Sequence, residues 1–361
     1  MDKELRLMKG NEAIAEAAIR EGVDAYFGYP ITPQSEVIEY LMSEKPHERT
    51  GMVVLQAESE LAAINMVYGA AGTGRKVMTS SSSPGISLKM EGISYIAGSE
   101  LPCVIVNVVR GGPGLGTIQP GQCDYFQATK GGGHGDYRLI VLAPASVQEM
   151  ADFIETGYDL AFKYRNPVMI LSDGIIGQMM EKVELKPQKK RFTPEEIINK
   201  YPWATTGKPK SRERNIITSL ELIAAKQEAF NQKLIKKYQE IQENEIKYEA
   251  LNTDDADYIL VAYGSVARIC MNAMEEARAK GIKVGLIRPI TLFPFPTPII
   301  SKLADKVKGF MSVEMSAGQM VEDIRLAVNG RKPVEFYGRQ GGMIPAPEDI
   351  VIALEQKLIG G

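Results

Sequence analysis

The sequence feature that most constrains the fold is an apolar run at residues 101–109, LPCVIVNVV. Its hydrophobicity is almost continuous rather than alternating, which is typical of a strand buried on both faces of a parallel sheet. Shorter runs of the same kind are separated from it by segments with helical periodicity, and they lie at residues 25–28, 52–55, 76–79, 138–142 and 168–172. Strands that alternate with helices in this way predict a doubly wound α/β domain.

The pattern changes after residue 181, which divides the chain into three parts. Residues 182–215 are polar, basic and spaced by prolines, as expected of a connector. Residues 216–248 repeat apolar side chains at helical spacing, which predicts one long amphipathic helix. We therefore expect two doubly wound α/β domains, residues 1–181 and 252–361, joined by a basic connector and a long helix within residues 182–251.

Composition and charge narrow the classes of function. The chain has 361 residues and a formal net charge of -3, so nothing favours a nucleic acid or an acidic membrane surface as a partner. No apolar run reaches the roughly 18 residues that a membrane span needs. The first residues, MDKELR, are charged and lack the apolar core of a signal peptide. The expected location is the cytoplasm, with no membrane and no nucleic acid as partner.

The chemistry that the chain can perform by itself is limited. Its cysteines, Cys103, Cys123 and Cys270, are far apart and form no CxxC motif, and its only histidines are His47 and His134. The chain has too few cysteine and histidine residues at suitable spacing for an iron–sulfur cluster, a zinc site or a histidine-based triad. We expect no metal ligands in this chain, and we expect any catalysis to depend on a cofactor.

One carboxylate stands out in the helix predicted after the strand at residues 52–55. At 100° per residue Glu60 shares a face with Ile64, Val67 and Ala71, so it lies on the apolar side of a helix rich in small residues. Burial of a carboxylate there is costly without a partner. Two interpretations are open: a first-turn acid that interacts favourably with the helix dipole, and a functional acid.

Two loops that follow predicted strands carry further candidates, each with a structural alternative. Thr32, in the proline-stiffened loop YPITP, either caps a helix whose first residue is Pro33 or faces a ligand. Ser83, which ends the run SSSS, either caps a helix that begins at Pro84 or helps to cradle an anion at the helix N-terminus.

Arg110 follows the strand at residues 101–109 and opens a glycine-rich segment, GGPGLG. This segment is not a GxGxxG dinucleotide loop, because the third glycine is missing and no helix follows at once. An arginine at the carboxyl edge of a parallel sheet suits a carboxylate or phosphate ligand. A solvated arginine in a flexible loop is the alternative.

Together these segments resemble the 2-oxoacid:ferredoxin oxidoreductase family. The resemblance is carried by residues 28–35, 59–72, 80–85 and 108–116, and it extends over essentially the whole chain. It implies an alpha-type subunit, in which the pyrimidine domain of thiamine diphosphate enzymes precedes a transketolase-C-terminal-like domain. The sequence resembles most that of the 2-oxoisovalerate (3-methyl-2-oxobutanoate) subunit, with 2-oxoglutarate and pyruvate subunits as relatives.

The resemblance implies a role for each candidate residue. Glu60 matches the glutamate that hydrogen-bonds N1′ of the aminopyrimidine ring and so activates the cofactor. Thr32 matches a residue that contacts the substrate, and Arg110 matches the arginine that pairs with the 2-oxoacid carboxylate. The other implied contacts are to the cofactor for Tyr29, Pro30 and Gly111, and to the substrate for Ser83.

Half of the implied cofactor site is missing from the chain. The family of thiamine diphosphate enzymes holds diphosphate and Mg²⁺ through GDG and a later asparagine, and only Ser172-Asp173-Gly174, followed by Asn199, comes near this pattern. We interpret Asp173 and Gly174 as a plain turn at a strand end. A beta-type partner is then expected to supply the diphosphate and Mg²⁺ site, and partner subunits, gamma and ferredoxin-like, the iron–sulfur clusters.

The implied function is the oxidative decarboxylation of a 2-oxoacid to acyl-coenzyme A and CO₂, with electrons passed to ferredoxin. The favoured substrate is 2-oxoisovalerate, and 2-oxoglutarate or pyruvate are the other candidates. Two alternatives from other classes stay open. One is a non-catalytic assembly subunit, and the other is a stand-alone α/β enzyme that binds a nucleotide at its glycine loops.

Overall fold

The computed structural model describes residues 4–208, 210 and 212–360. Residues 1–3, 209, 211 and 361 lie outside this description, and with them part of the charged N-terminus and one proline of the predicted connector. Over the described residues the strands form a sheet of seven, a sheet of five and a separate antiparallel pair. The first two are called the large sheet and the small sheet below.

The secondary structure alternates as the sequence predicted. The strands are β1 (Glu4–Lys9), β2 (Ala25–Gly28), β3 (Val53–Gln56), β4 (Val77–Ser81), β5 (Cys103–Val109), β6 (Ile140–Leu142), β7 (Pro167–Asp173), β8 (Met180–Leu185), β9 (Tyr248–Leu251), β10 (Tyr258–Val261), β11 (Val284–Pro289), β12 (Thr291–Phe293), β13 (Gly309–Glu314) and β14 (Val334–Gly338). The helices are α1 (Gly10–Arg20), α2 (Ser35–Ser43), α3 (Pro46–Thr50), α4 (Glu60–Ala71), α5 (Ser83–Gly98), α6 (Tyr125–Thr129), α7 (Val147–Tyr164), α8 (Gly174–Gln178), α9 (Pro194–Lys200), α10 (Ala224–Asn244), α11 (Gly264–Ala279), α12 (Thr297–Leu303), α13 (Met320–Val328) and α14 (Pro347–Leu354), followed by a π-helical turn, Glu355–Ile359.

The large sheet has the strand order β12-β6-β7-β5-β4-β2-β3, and all its strands are parallel except β12. Every residue of β5 is buried, as a strand covered on both faces requires. Helices α4 and α5 pack against each other and on the strands, as do α1 and α7. Because parallel strands end at one edge of a sheet, the loops after β2, β4 and β5 converge there.

The small sheet has the order β14-β13-β10-β11-β9, with only β9 antiparallel among its described strands. It forms the second α/β unit that the sequence predicted. The two sheets also exchange strands along the chain. β9 comes from the segment expected to be connector and helix, and β12, from the C-terminal part, pairs with β6 at the edge of the large sheet. The proposed domain boundaries are therefore crossed by strand pairing.

The long helix is shorter than the predicted range 216–248. The helix α10 spans Ala224–Asn244, and the residues before it are not helical. The side chains of Thr218 and Glu221 accept hydrogen bonds from the backbone N–H groups of Leu220 and Ile223, at 3.0 and 2.9 Å, and such local bonds compete with helix formation. The apolar spacing here does not reflect burial, since Leu220 is 69% exposed.

The basic connector packs onto the unit built around the large sheet. It contains most of β8, which pairs with β1, and the short helix α9, whose first turn is closed by a capping box from Thr193. Arg191 forms an ion pair with Asp24 at 2.8 Å, and Lys189 forms one with Glu21 at 2.8 Å. Its positive charges therefore bind the connector to acidic residues of the N-terminal unit through ion pairs.

Candidate active site

Glu60 is the first residue of α4 and is buried, with 6% of its surface exposed. Ser59 caps the helix by accepting a hydrogen bond from the N–H of Ala62, so the next side chain starts inside the first turn. Ile64 and Val67 continue the same buried face. No described residue donates a hydrogen bond to the Glu60 carboxylate. The face assignment from the sequence is confirmed, and the carboxylate has no hydrogen-bond donor from the described part of the chain.

Helix α5 approaches this carboxylate closely because Gly85 has no side chain. A Cβ atom built on Gly85 would lie 2.7 Å from Glu60 Oε1 and closer still to Ser81 Oγ. The hydroxyls of Ser81 and Ser82 are buried and have no hydrogen-bond partner among the described residues. The carboxyl end of β4 therefore brings one carboxylate and two hydroxyls without hydrogen-bond partners close to the start of α5.

Arg110 lies directly after β5 and is 8% exposed, so the alternative of a solvated arginine is wrong. Its Nη1 donates to the carbonyl oxygen of Thr32 at 3.0 Å, and its Nη2 donates to that of Leu115 at 2.9 Å. The Nε atom is buried without a partner among the described residues. The guanidinium thus joins the loop after β2 to the glycine-rich loop and keeps one donor unused.

The predicted caps of α2 and α5 were wrong by one or two residues. Gln34 rather than Thr32 holds the N-cap position of α2, and its side chain bonds the carbonyl of Tyr29 and accepts from Ser80. The N-cap residue of α5 is Ser82, while the Ser83 hydroxyl instead accepts a hydrogen bond from the backbone N–H of Arg110 at 3.1 Å. In neither helix does the side chain of the N-cap residue accept a hydrogen bond from the helix that it begins.

The other predicted site residues lie around the same edge. Thr32 is exposed, and Tyr29 and Pro30 are partly buried in the loop after β2. Gly111 is buried where its loop meets residues of the C-terminal part, since a Cβ there would lie 3.0 Å from the backbone N of Gly342. The structure therefore brings all the sequence-predicted residues to one edge of the large sheet.

A cleft of about 430 Å³ opens beside this edge, between the two α/β units. Ser83, Gly111 and Gly112 line it on one side, and Met315 and Gln340 line it on the other. Its buried carboxyl group, Asp124, accepts a hydrogen bond from Asn107 at 2.9 Å, and burial raises the pKa of that carboxyl. The sequence analysis did not single out Asp124, because nothing in its local pattern marks a buried acid.

Lys89 on α5 is a second residue that the sequence analysis missed. It is completely buried, and its Nζ donates to Thr79 Oγ1 at 2.7 Å. Burial lowers the pKa of Lys89 to about 7, and the negative charge of Glu60 opposes this shift. A signal was present: Lys89 lies four residues after Gly85 on a face otherwise made of glycine and apolar side chains.

Asp173 is more than the plain turn that the sequence suggested. Its Oδ1 caps α8 by accepting from the N–H of Ile175 at 2.9 Å, and its Oδ2 accepts from the Ser265 hydroxyl at 2.7 Å. It thereby joins the two α/β units. Among residues 4–208, 210 and 212–360, no group of three His, Cys, Asp or Glu side chains comes together as a metal site would require.

Comparison with known proteins assigns this architecture to a family. A family profile described as pyruvate flavodoxin/ferredoxin oxidoreductase, thiamine diphosphate-binding, matches residues 16–250. A second, described as pyruvate:ferredoxin oxidoreductase core domain II, matches residues 256–350. The chain belongs to the 2-oxoacid:ferredoxin oxidoreductase family. It is therefore an oxidoreductase subunit, and the family predicted from the sequence is confirmed.

Relatives within the family cover the whole chain. It is 52% identical to a ketoisovalerate oxidoreductase subunit of Methanothermobacter thermautotrophicus, over 96% of each chain. It is 35% identical to a 2-oxoglutarate synthase subunit of Methanocaldococcus jannaschii, over 99% of this chain and 100% of that one.

Solved structures of the family and of transketolase share the fold. The 2-oxoglutarate:ferredoxin oxidoreductase from Magnetococcus marinus, solved with 2-oxoglutarate, coenzyme A and succinyl-CoA bound, superposes with a TM-score of 0.85 at 28% identity. The match covers 99% of this chain, which spans 66% of that chain. A split-gene transketolase shares the fold alone, with a TM-score of 0.61 at 13% identity. The predicted pair of thiamine diphosphate-type and transketolase-like folds is confirmed. No helix among the described residues combines the length and the apolar character needed to cross a bilayer.

Proposed function

We propose that this chain is the alpha-type subunit that binds the aminopyrimidine end of thiamine diphosphate in a 2-oxoacid:ferredoxin oxidoreductase. In the overall reaction a 2-oxoacid and coenzyme A give acyl-coenzyme A, CO₂ and a proton, and the electron pair from the broken carbon–carbon bond passes to ferredoxin. The observation that carries the proposal is the buried Glu60 carboxylate, which lies against Gly85 of α5 and has no hydrogen-bond donor among the described residues.

The unused polar atoms at this edge support a bound cofactor. Buried polar groups in folded proteins almost always have partners, yet Ser81 Oγ, Ser82 Oγ and Arg110 Nε have none among the described residues. The Ser81 hydroxyl lies close to both Gly85 and Glu60. A ligand with a polar rim would supply hydrogen-bond partners for such atoms.

Each side chain of the site then has a defined task. Thiamine diphosphate, when bound, supplies the nucleophilic carbon and the electron sink of the reaction. Glu60 holds and exchanges a proton at its carboxylate oxygen with the ring nitrogen N1′. Arg110 binds the carboxylate of the 2-oxoacid, with its free Nε as the first donor. Thr32 and Ser83 are proposed to contact the substrate.

The remaining proposed contacts to the cofactor come from the loops. Tyr29 and Pro30 lie in the loop after β2, and Gly111 lies in the loop after β5. All three are at the carboxyl edge of the large sheet, where ligands of open α/β folds bind.

Partner subunits complete the active site in this proposal. We infer that a beta-type subunit supplies the diphosphate and Mg²⁺ site, and that gamma and ferredoxin-like subunits carry the iron–sulfur clusters. Next to Glu60, the edge strand β3 and helix α4 expose apolar side chains: Val53, Leu55, Leu61 and Met66 are 46%, 40%, 48% and 37% exposed. An apolar face on a sheet edge is typical of a subunit contact. The proposed location of the complex is the cytoplasm.

The proposed substrate is 2-oxoisovalerate, which the 52% identity to a ketoisovalerate oxidoreductase subunit supports. The reconstituted complex is assayed with 2-oxoisovalerate, 2-oxoglutarate and pyruvate. We expect kcat/KM to be highest for 2-oxoisovalerate. A higher value for 2-oxoglutarate or pyruvate would overturn the substrate assignment and leave the reaction class standing.

The test of the reaction class is the Glu60→Gln substitution in the complex with its partner subunits. Glutamine keeps the shape and removes the exchangeable proton, so we expect turnover to fall by at least about 100-fold. The matched control is Glu58→Gln, two residues earlier and exposed, with expected turnover within about twofold of the wild type. Full turnover of an assembled Glu60→Gln complex would favour a non-catalytic assembly role for this chain.

A further inference from the structure

Helices α4 and α5 touch where α5 carries glycines. A Cβ atom would lie 2.7 Å from Glu60 Oε1 if built on Gly85, and 2.6 Å from Ile64 Cγ2 if built on Gly92. Lys89 lies between the two glycines, four residues after the first and three before the second, so all three share one face of α5. The lysine side chain therefore leaves α5 on the face that packs on α4, one turn from the contact with Glu60.

Lys89 is an unusual occupant of this position. It is completely buried, whereas lysines are almost never fully buried without a charged partner. Its ammonium group has three donors, and among the described residues the hydroxyl of Thr79 is the one acceptor within hydrogen-bond distance. A methionine would fill the same space without the cost of burying a charge. Packing alone therefore does not explain why this position carries an ammonium group.

In the part of the chain that the structure describes, one charged group acts on Lys89. Glu60, on α4, is the carboxylate whose field acts on the ammonium. The neighbouring side chains of β4, Thr79 and Ser80, are uncharged hydroxyls. From β2, Tyr26 bonds the Ser80 hydroxyl at 2.7 Å, and burial raises the pKa of Tyr26, so it stays neutral. Because the pKa of Lys89 is lowered to about 7 by burial, this lysine changes charge near neutral pH.

We propose that Lys89 is a positioning residue whose ammonium, anchored on Thr79 one helical turn from the contact between Gly85 and Glu60, stabilises the negative charge of the Glu60 carboxylate and so sets the pH dependence of the cofactor bound there. This inference rests on the proposed role of Glu60. A positive charge near a negative one stabilises it. Loss of the lysine charge, by substitution or by deprotonation, removes this stabilisation, so the pH-dependent change of the bound cofactor moves to higher pH.

The test uses the complete complex loaded with thiamine diphosphate and Mg²⁺, without substrate. The near-ultraviolet circular dichroism of the bound cofactor, which changes with the protonation of its aminopyrimidine ring, is titrated from pH 5 to 9. In Lys89→Met we expect the inflection to move to higher pH by about one unit, the effect of one charge at short range in a protein interior. The acid limb of kcat/KM moves in the same direction.

A second variant guards against a Lys89→Met complex that does not assemble. Thr79→Val removes the one hydrogen bond to the ammonium, lowers its proton affinity further and leaves the packing intact. We expect a smaller shift of the inflection in the same direction. An inflection that stays at the wild-type pH in Thr79→Val, as in Lys89→Met, would overturn the proposal.

The matched control is Lys237→Met on α10. Lys237 is another largely buried lysine, its pKa is lowered to about 8, and it pairs with Glu100 at 3.4 Å rather than with a residue of the candidate site. We expect no shift in this variant, and an equal shift would overturn the proposal. Glu60→Gln separates the two levels of inference. Wild-type turnover in Glu60→Gln would overturn the proposed function. If Glu60→Gln is inactive and the inflection in Lys89→Met stays at the wild-type pH, only the role of Lys89 is overturned.

Discussion

Two buried glutamates, one at each sheet, differ in a way that separates structure from function. Glu314 ends β13 of the small sheet and is completely buried. Its carboxylate accepts hydrogen bonds from two serine hydroxyls and three backbone N–H groups, those of Ser312, Ser316, Gln319, Met320 and Val321, at 2.8–3.0 Å. Glu60 is almost as deeply buried beside the large sheet, and no described residue donates to it.

The two carboxylates differ in how their burial is compensated. Burial of a carboxylate is costly unless hydrogen bonds replace its hydration. Glu314 recovers that cost within the fold, because its negative charge lies at the N-terminus of α13 and closes the first turn. Glu60 has no such donors among the described residues, which agrees with the proposed hydrogen bond to a ring nitrogen of the cofactor.

The comparison is sharpened most by Glu314→Gln. The NH₂ group of the glutamine cannot accept the hydrogen bonds that a carboxylate oxygen accepts, so some of the buried donors would lose their acceptor. Each buried group left unsatisfied costs about 1–3 kcal/mol. We expect a loss of about 2–5 kcal/mol of stability, measured as a lower midpoint of denaturant unfolding, while Glu60→Gln changes stability by less than about 1 kcal/mol. Equal destabilisation by the two substitutions would show that both acids are structural.

Arg110 is intermediate between the two glutamates, since two of its nitrogens are satisfied by carbonyl groups and one is not. Its loss removes a charged hydrogen bond worth about 1.5–3 kcal/mol, so we expect Arg110→Ala to raise KM by about 10–100-fold for every 2-oxoacid. Steady-state kinetics on several substrates measures this effect. A rise confined to one substrate would contradict recognition of the shared carboxylate.

Gly85→Ala gives the smallest expected effect and probes the close contact between α5 and Glu60. The added methyl group would lie 2.7 Å from Glu60 Oε1, so we expect the affinity for thiamine diphosphate to fall about tenfold, measured by titration of the cofactor-free complex. Gly69→Ala on α4 is the control, because a Cβ there meets nothing within 4 Å. It is expected to leave cofactor affinity unchanged and to stabilise the helix by about 0.5–1 kcal/mol. Cofactor affinity that is equal in the two variants would mean that the ring does not lie near Gly85.

The sequence predicted the parts of the fold that depend on periodicity. The run at residues 101–109 became the buried strand β5, and the face shared by Glu60 and Ile64 became the buried face of α4. The prediction of a helix failed where residues with helical apolar spacing are not buried. Residues 216–223 have the spacing of a helix, yet most of their apolar side chains are exposed, and two polar ones, Thr218 and Glu221, bond the local backbone.

The details of the site were less predictable, because they depend on contacts between distant segments. Thr32 and Ser83 have the chemistry of helix caps, but the carbonyl of Thr32 and the hydroxyl of Ser83 both bond Arg110, which is far along the chain. The burial of Lys89 depends on Gly85 and Gly92, which let α4 come close. The strand β12 is three residues long and follows a proline, so its pairing with β6 has no local signal.

That short strand has a practical consequence for building hybrids of related enzymes. β12 belongs by sequence to the C-terminal half but completes the edge of the N-terminal sheet, and β9 enters the small sheet from before residue 252. A chimera joined at residue 252 would pair each parent's edge strand with a foreign neighbour. Exchange of specificity between family members is therefore better attempted by grafting the loops at the carboxyl edge of the large sheet, where the backbone framework stays that of a single parent.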